Sequence, residues 1–152
     1  MDVASEIVEI AEQQCIEQGI RVTKKRVRVF SLLQASKKAV SAYELAESYE
    51  QNFGEQVPVM TVYRVLDFLQ NENLVHKLET ANKFIVCEHI GCNHKHSASQ
   101  FLICKECLKV KELGVSKEKF EELKQTIEDA GFYIDTHQLE MNCICNGCYE
   151  KE

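Results

Sequence analysis

No stretch of this chain stays apolar for anything near the ~20 residues that a membrane-spanning helix needs. The opening MDVASEIVEIAEQQC, residues 1–15, is acidic and amphipathic, where a secretory leader has a basic start and an apolar middle. Proline occurs once, and no tract is repeated or low in complexity. Catalytic signatures are missing as well. There is no HExxH, no HxE paired with PCxxC and no glycine loop to cradle a phosphate, so neither an enzyme nor a small-molecule substrate is expected. The expectation is a cytoplasmic protein with no membrane partner.

Cysteine, by contrast, is abundant, with eight in 152 residues. In a secreted chain that density would suit a disulfide scaffold, whereas in a reducing cytosol it argues for metal ligation or redox chemistry. The hydrophobic fraction of 45% is enough for one bundle or for two small domains sharing a hinge.

Net charge is −6, which by itself disfavours a nucleic-acid partner. The average conceals an asymmetry. Residues 21–38, RVTKKRVRVFSLLQASKK, hold seven cations and no acid, which leaves −13 for the rest of the chain. One end is suited to phosphate while the remainder repels it; the competing reading is a solvated helix face.

Apolar positions Val3, Ile7, Ile10, Ala11 and Ile16 fit one face of a first helix that Gly19 ends. Thr23 is an N-cap for a second, with Val27, Phe30 and Leu33 inward, and Ser41 with Glu44 makes a capping box for a third. Pro58 can open a fourth helix with Val59, Val62, Leu66 and Leu69 inward and Thr61, Tyr63, Arg64 and Asp67 outward. LVHKLETANKFIVCEH then reads as a hairpin around Thr80–Asn82. This order suggests a winged helix-turn-helix. Polar residues 88–100 read as a linker or metal loop, after which FLIC, VKEL, a helix over SKEKFEELKQTIEDAG and a strand in FYIDTHQLEMN make a small α/β unit. In that helix Phe120, Leu123, Ile127 and Ala130 are expected inward. The fold class is therefore α+β.

Cys104-x2-Cys107 and Cys145-x2-Cys148 are matched pairs with 37 residues between them. Four thiolates in a tetrahedron form a structural zinc site with no open position. A thioredoxin-like role is disfavoured because no βαβ pattern surrounds either pair. Cys143 turns the second pair into CxCxxC, which resembles the zinc switch of redox-regulated chaperones; it also reads as a spare thiol, the reading we favour. A looser set of donors comprises His76, Cys87, His89, Cys92, His94, His96 and Glu112, and its mixture of N, S and O atoms with a thiolate prefers zinc to harder ions.

The segments RVTKKRVRVFSLL, SAYELAE, TVYRVLDFL, NLVHKLE and FIVC, with the two CxxC pairs, together resemble the ferric uptake regulator family. They resemble most its zinc-sensing branch, the zinc uptake regulators, over about residues 5–150. The resemblance implies a homodimeric, zinc-dependent repressor that binds palindromic DNA operators of zinc-uptake genes. It implies a winged-helix domain over 1–86, a hinge and metal loop over 87–100, and a dimerisation domain with structural zinc over 101–152. Cys104, Cys107, Cys145 and Cys148 match the structural zinc ligands, and His76, Cys87, His96 and Glu112 the sensing ones, giving two zinc ions per monomer. His89, Cys92 and His94 are further donors in the loop, and His137 matches a position that contributes to a third site in some members. Tyr63 and Arg64, next to Thr61, match the base-reading pair, with Lys24, Lys25, Arg26 and Arg28 on phosphates. The alternatives are a family member sensing iron, manganese or peroxide, or a zinc-dependent redox-switch protein.

Overall fold

The computed structural model describes residues 3–87, 99–135 and 138–151. His89, Cys92, His94, His96 and His137 lie outside these, and so does much of the expected 87–100 loop. The chain divides into two units, residues 1–92 and 93–152.

The first unit contains α1 (Val3–Glu17), α2 (Lys24–Ser36), α3 (Ala42–Phe53), α4 (Val59–Asn71), β1 (Val75–Leu78) and β2 (Lys83–Val86). Local chemistry sets the helix starts. The Thr23 side chain accepts from the Arg26 amide at 3.3 Å, and Ser41 and Glu44 close a reciprocal capping box at the start of α3. Each such cap typically contributes about 1 kcal/mol. Gly54 ends α3 at φ 67°, a left-handed conformation that costs glycine little.

Val29, Phe30, Leu33, Leu45, Tyr49, Val62, Leu66 and Phe84 are buried in one core. The hairpin β1–β2 is antiparallel, and a bridge from Val40 to Phe84 ties it to the chain between α2 and α3. Three helices, a fourth and a wing make a winged helix-turn-helix. Two expected faces are corrected. In α1 the buried residues are Ala11 and Cys15, while Ile10 and Ile16 are exposed, because the stripe that meets α2 runs a turn through 11 and 15 rather than through 10 and 16. In α2 it is Val29, not Val27, that joins Phe30 and Leu33 in the core.

The second unit contains β3 (Ser99–Cys104), β4 (Val110–Gly114), α5 (Lys117–Asp129), β5 (Gln138–Cys143) and α6 (Asn146–Tyr149). Sheet order is β4-β3-β5, with β3 antiparallel to β4 and parallel to β5. Parallel neighbours need a long crossover, and α5 provides it. The core is small. Phe101, Ile103, Val110 and Phe120 are buried, but Leu123, expected inward, is exposed, and so are Ala130, Leu113, Met141, Phe132 and Tyr133. The closing strand begins at Gln138 rather than at Phe132.

Candidate metal centres and nucleic-acid interface

The parallel register sets Cys104 opposite Cys143, and the Lys105 amide donates to the Cys143 carbonyl at 3.0 Å. Strands β3 and β5 therefore finish side by side, and each is followed at once by a CxxC turn. The first turn is tightened by Leu108 in the left-handed region (φ 64°), with its amide donating to the Cys104 carbonyl at 2.9 Å. The second is α6, with Cys145 as N-cap.

The Sγ atoms of Cys104, Cys107, Cys145 and Cys148 all lie within 4.8 Å of one another, and no disulfide joins them. The Cys107 and Cys145 sulfurs are 3.7 Å apart. A zinc tetrahedron with Zn–S near 2.3 Å has edges of about 3.8 Å. The donor set fits zinc. Cys143 is not one of the grouped thiols, and its Sγ sits 3.7 Å from the Met141 carbonyl.

Backbone amides of Cys107 and then Cys145 stabilise the Cys104 thiolate and lower its pKa to about 6; the Cys145 amide lies 3.4 Å from Sγ. Amide and thiol contacts from Cys148 lower Cys145. Cys148 holds the shared proton in return, pushed up to about 12 chiefly by its hydrogen bond to Cys145. The cluster is prepared for negative charge before any cation arrives.

In the first unit, β1–β2 register pairs His76 with Ile85, so His76 and Cys87 are diagonal neighbours on one face of the hairpin. Their ligating atoms lie within 4.8 Å of each other. Cys87 is buried and held by its amide on the Leu74 carbonyl at 2.9 Å, and His76 Nε2 is shielded from solvent. In the second unit Glu112, on β4, is only 4% exposed and accepts from Ser99 Oγ at 3.2 Å. It is the one buried charged residue among those described. A carboxylate is costly to bury without hydrogen bonds or a cation, and the Ser99 hydroxyl supplies one such partner; the chemistry of the Glu112 carboxylate is that of a metal ligand.

On α4, Arg64 is exposed, whereas Thr61 is half-buried and its amide donates to the Pro58 carbonyl at 2.9 Å. Tyr63 is also half-buried, packed edge-on to Phe84 with ring centroids 6.5 Å apart. The basic run splits. Lys24 and Lys25 are exposed in the first turn of α2, where no acid offsets them. Cations there oppose the helix dipole at typically 0.3–1 kcal/mol each, a local conflict expected where a surface serves binding. Arg26 instead lies 3.6 Å over the Phe68 ring. Arg28 donates to Tyr49 Oη at 3.2 Å and Glu55 at 3.1 Å, and lies 4.4 Å over Phe53. Two exposed apolar side chains escaped the sequence reading, Tyr43 in the first turn of α3 and Met60 in the first turn of α4. A helical wheel puts Met60 on the Arg64 face, which is the signal that could have found it.

The ferric uptake regulator family model matches residues 17–142. The zinc uptake regulation protein of Escherichia coli (strain K12) is 32% identical over 148 residues, covering 97% of this chain and 84% of its own length. Among solved structures, a zinc uptake regulator complexed with zinc and DNA superposes with a TM-score of 0.85 at 28% identity, covering 99% and 98% of the two chains. Holo XcZur gives a TM-score of 0.78 at 33% identity, covering 95% and 98%.

Proposed function

The chain belongs to the ferric uptake regulator family, in its zinc uptake branch, and from that premise we propose that it is a zinc-responsive repressor that binds operator DNA as a homodimer. The observation that carries this reading is the pairing of a preformed four-thiol cluster in one unit with a His76–Cys87 donor pair on the wing of the other. Cys104, Cys107, Cys145 and Cys148 hold the structural zinc. His76, Cys87, His96 and Glu112 hold the sensing zinc, two ions per monomer in all. His76 precedes the 87–100 segment, Cys87 and His96 lie within it and Glu112 follows it, so occupying all four constrains the hinge between a DNA-reading domain (1–86) and a dimerisation domain (101–152).

The energetics permit such a switch. Moving a two-state hinge from 1:99 to 99:1 takes about 5.5 kcal/mol of differential affinity. Structural zinc sites in small peptides yield roughly 10–16 kcal/mol, so even a weaker site that is incomplete in one state leaves enough. Cys87 also argues for zinc over iron or manganese, which favour imidazole and carboxylate.

Exposed Phe132 (71%), Tyr133 (81%), Leu113 and Met141 give the second unit an apolar surface suited to self-association. Two recognition helices about 34–36 Å apart then require a near-palindromic operator. Arg64 grips guanine, Tyr63 contributes apolar contact beside it, and Lys24 and Lys25 hold phosphates. No helix among the described residues is long and apolar enough to cross a membrane, and the site of action is the cytoplasm. A mobility-shift titration with buffered zinc, iron and manganese tests the reading. Retardation of operator DNA by zinc at the lowest free-metal concentration is expected; equal retardation without metal, or by iron first, contradicts it.

A further inference from the structure

Helix α4 spends four of its apolar side chains, Val62, Val65, Leu66 and Leu69, on the core of the first unit. Met60 is not among them and stands 61% exposed in the first turn. It lies four residues before exposed Arg64, and positions i and i+4 share a helix face. A long apolar side chain exposed to that degree contributes little to packing. It is also unsuited to a phosphate, since its thioether is at most a weak acceptor.

Recognition helices meet base edges through their N-terminal residues, and of the groups displayed in the major groove only the thymine 5-methyl is apolar. We infer that Met60 is a specificity-determining residue that packs against a thymine methyl in each half-site. The inference rests on the DNA-binding reading above and adds a third residue, beside Tyr63 and Arg64, to the base-reading surface. Four residues of helix rise about 6 Å, so the thymine lies within about two base-pair steps of the guanine read by Arg64. An unbranched, adaptable side chain follows the methyl without a fixed rotamer.

The test uses the zinc-loaded full chain and an operator selected from a random duplex pool. Each thymine is replaced in turn by uracil, which removes the methyl and keeps the base pair. In the wild type, uracil at one thymine per half-site is expected to weaken binding about four-fold, the worth of one buried methyl. Met60→Ala should lose a similar factor on the thymine operator and be blind to that uracil, while Met60→Leu should remain sensitive. A Met60→Ala protein that binds as the wild type does, or still responds to every uracil, overturns the inference alone. A wild type that selects no operator with zinc present overturns the DNA-binding reading and this inference with it.

Discussion

The sulfurs of Cys107 and Cys145 lie 3.7 Å apart although 37 residues separate them. The parallel pairing of β3 with β5 accounts for this approach, because it ends both strands at the same edge of the sheet. A zinc ion held by the four thiols would tie the two strand ends together in a unit whose own apolar core is little more than Phe101, Ile103, Val110 and Phe120.

Replacing Cys104 by Ser should accordingly cost the second unit its fold or its self-association, with loss of one zinc per chain. Gel filtration with metal analysis checks this. A soluble dimer with the wild-type zinc count would exclude the four-thiolate assignment.

Proton release on zinc loading follows from the thiol pKa values. At pH 7.5 Cys104, lowered to about 6, is already a thiolate, whereas Cys148, raised to about 12, must give up a proton. Calorimetry in buffers of different ionisation enthalpy should therefore find proton release attributable to Cys148, reduced in Cys148→Ser. In the metal-free chain the stabilisation from Cys104 is full above its ordinary value of 9.0 and is lost as pH falls from there to about 6. The Cys148 contribution has the opposite pH dependence: it is full below 9.0 and is lost as pH rises from there to about 12. Metal-free thermal stability should therefore decline on both sides of about pH 9.

Arg64→Ala should relax the preference for guanine at one operator position by roughly 1–3 kcal/mol with zinc content unchanged. Lys25→Ala should instead weaken all duplexes alike and lower the slope of log K against log salt by about one. Binding isotherms over a range of salt on operator and scrambled DNA separate the two.

Arg28 is bound to Tyr49 and Glu55 and lies over the Phe53 ring, contacts that compete with a phosphate for its guanidinium. Arg28→Ala should lower the melting temperature of the first unit and leave the salt slope close to wild type. A fall in the slope equal to that of Lys25→Ala would restore it to the DNA face.

Helix starts were legible because capping is local: Thr23, Ser41 and Pro58 stand at helix boundaries for reasons confined to a few residues. The CxxC pairs were legible because ligand spacing is a property of the chain. Faces were less so. Ala11 is inward as expected, but nothing near Ile10 or Ile16 distinguishes them from Cys15 as partners for α2, since that choice depends on how two helices meet. Leu123 and Ala130 look like the inner stripe of α5, yet Phe120 is the one residue of that helix that is buried. The fates of Arg26 and Arg28 were hidden as well, because Phe68, Tyr49 and Glu55 come from other helices and loops.

The most direct measurement follows zinc stoichiometry and operator occupancy together while a chelator lowers free zinc, in the wild type and in Cys87→Ser. Occupancy in the wild type should vanish as the first of two zinc ions leaves, with the dimer and the four-thiolate zinc retained. Cys87→Ser should start in that state. Occupancy that persists until the four-thiolate zinc is stripped, or that is indifferent to zinc, would contradict the account.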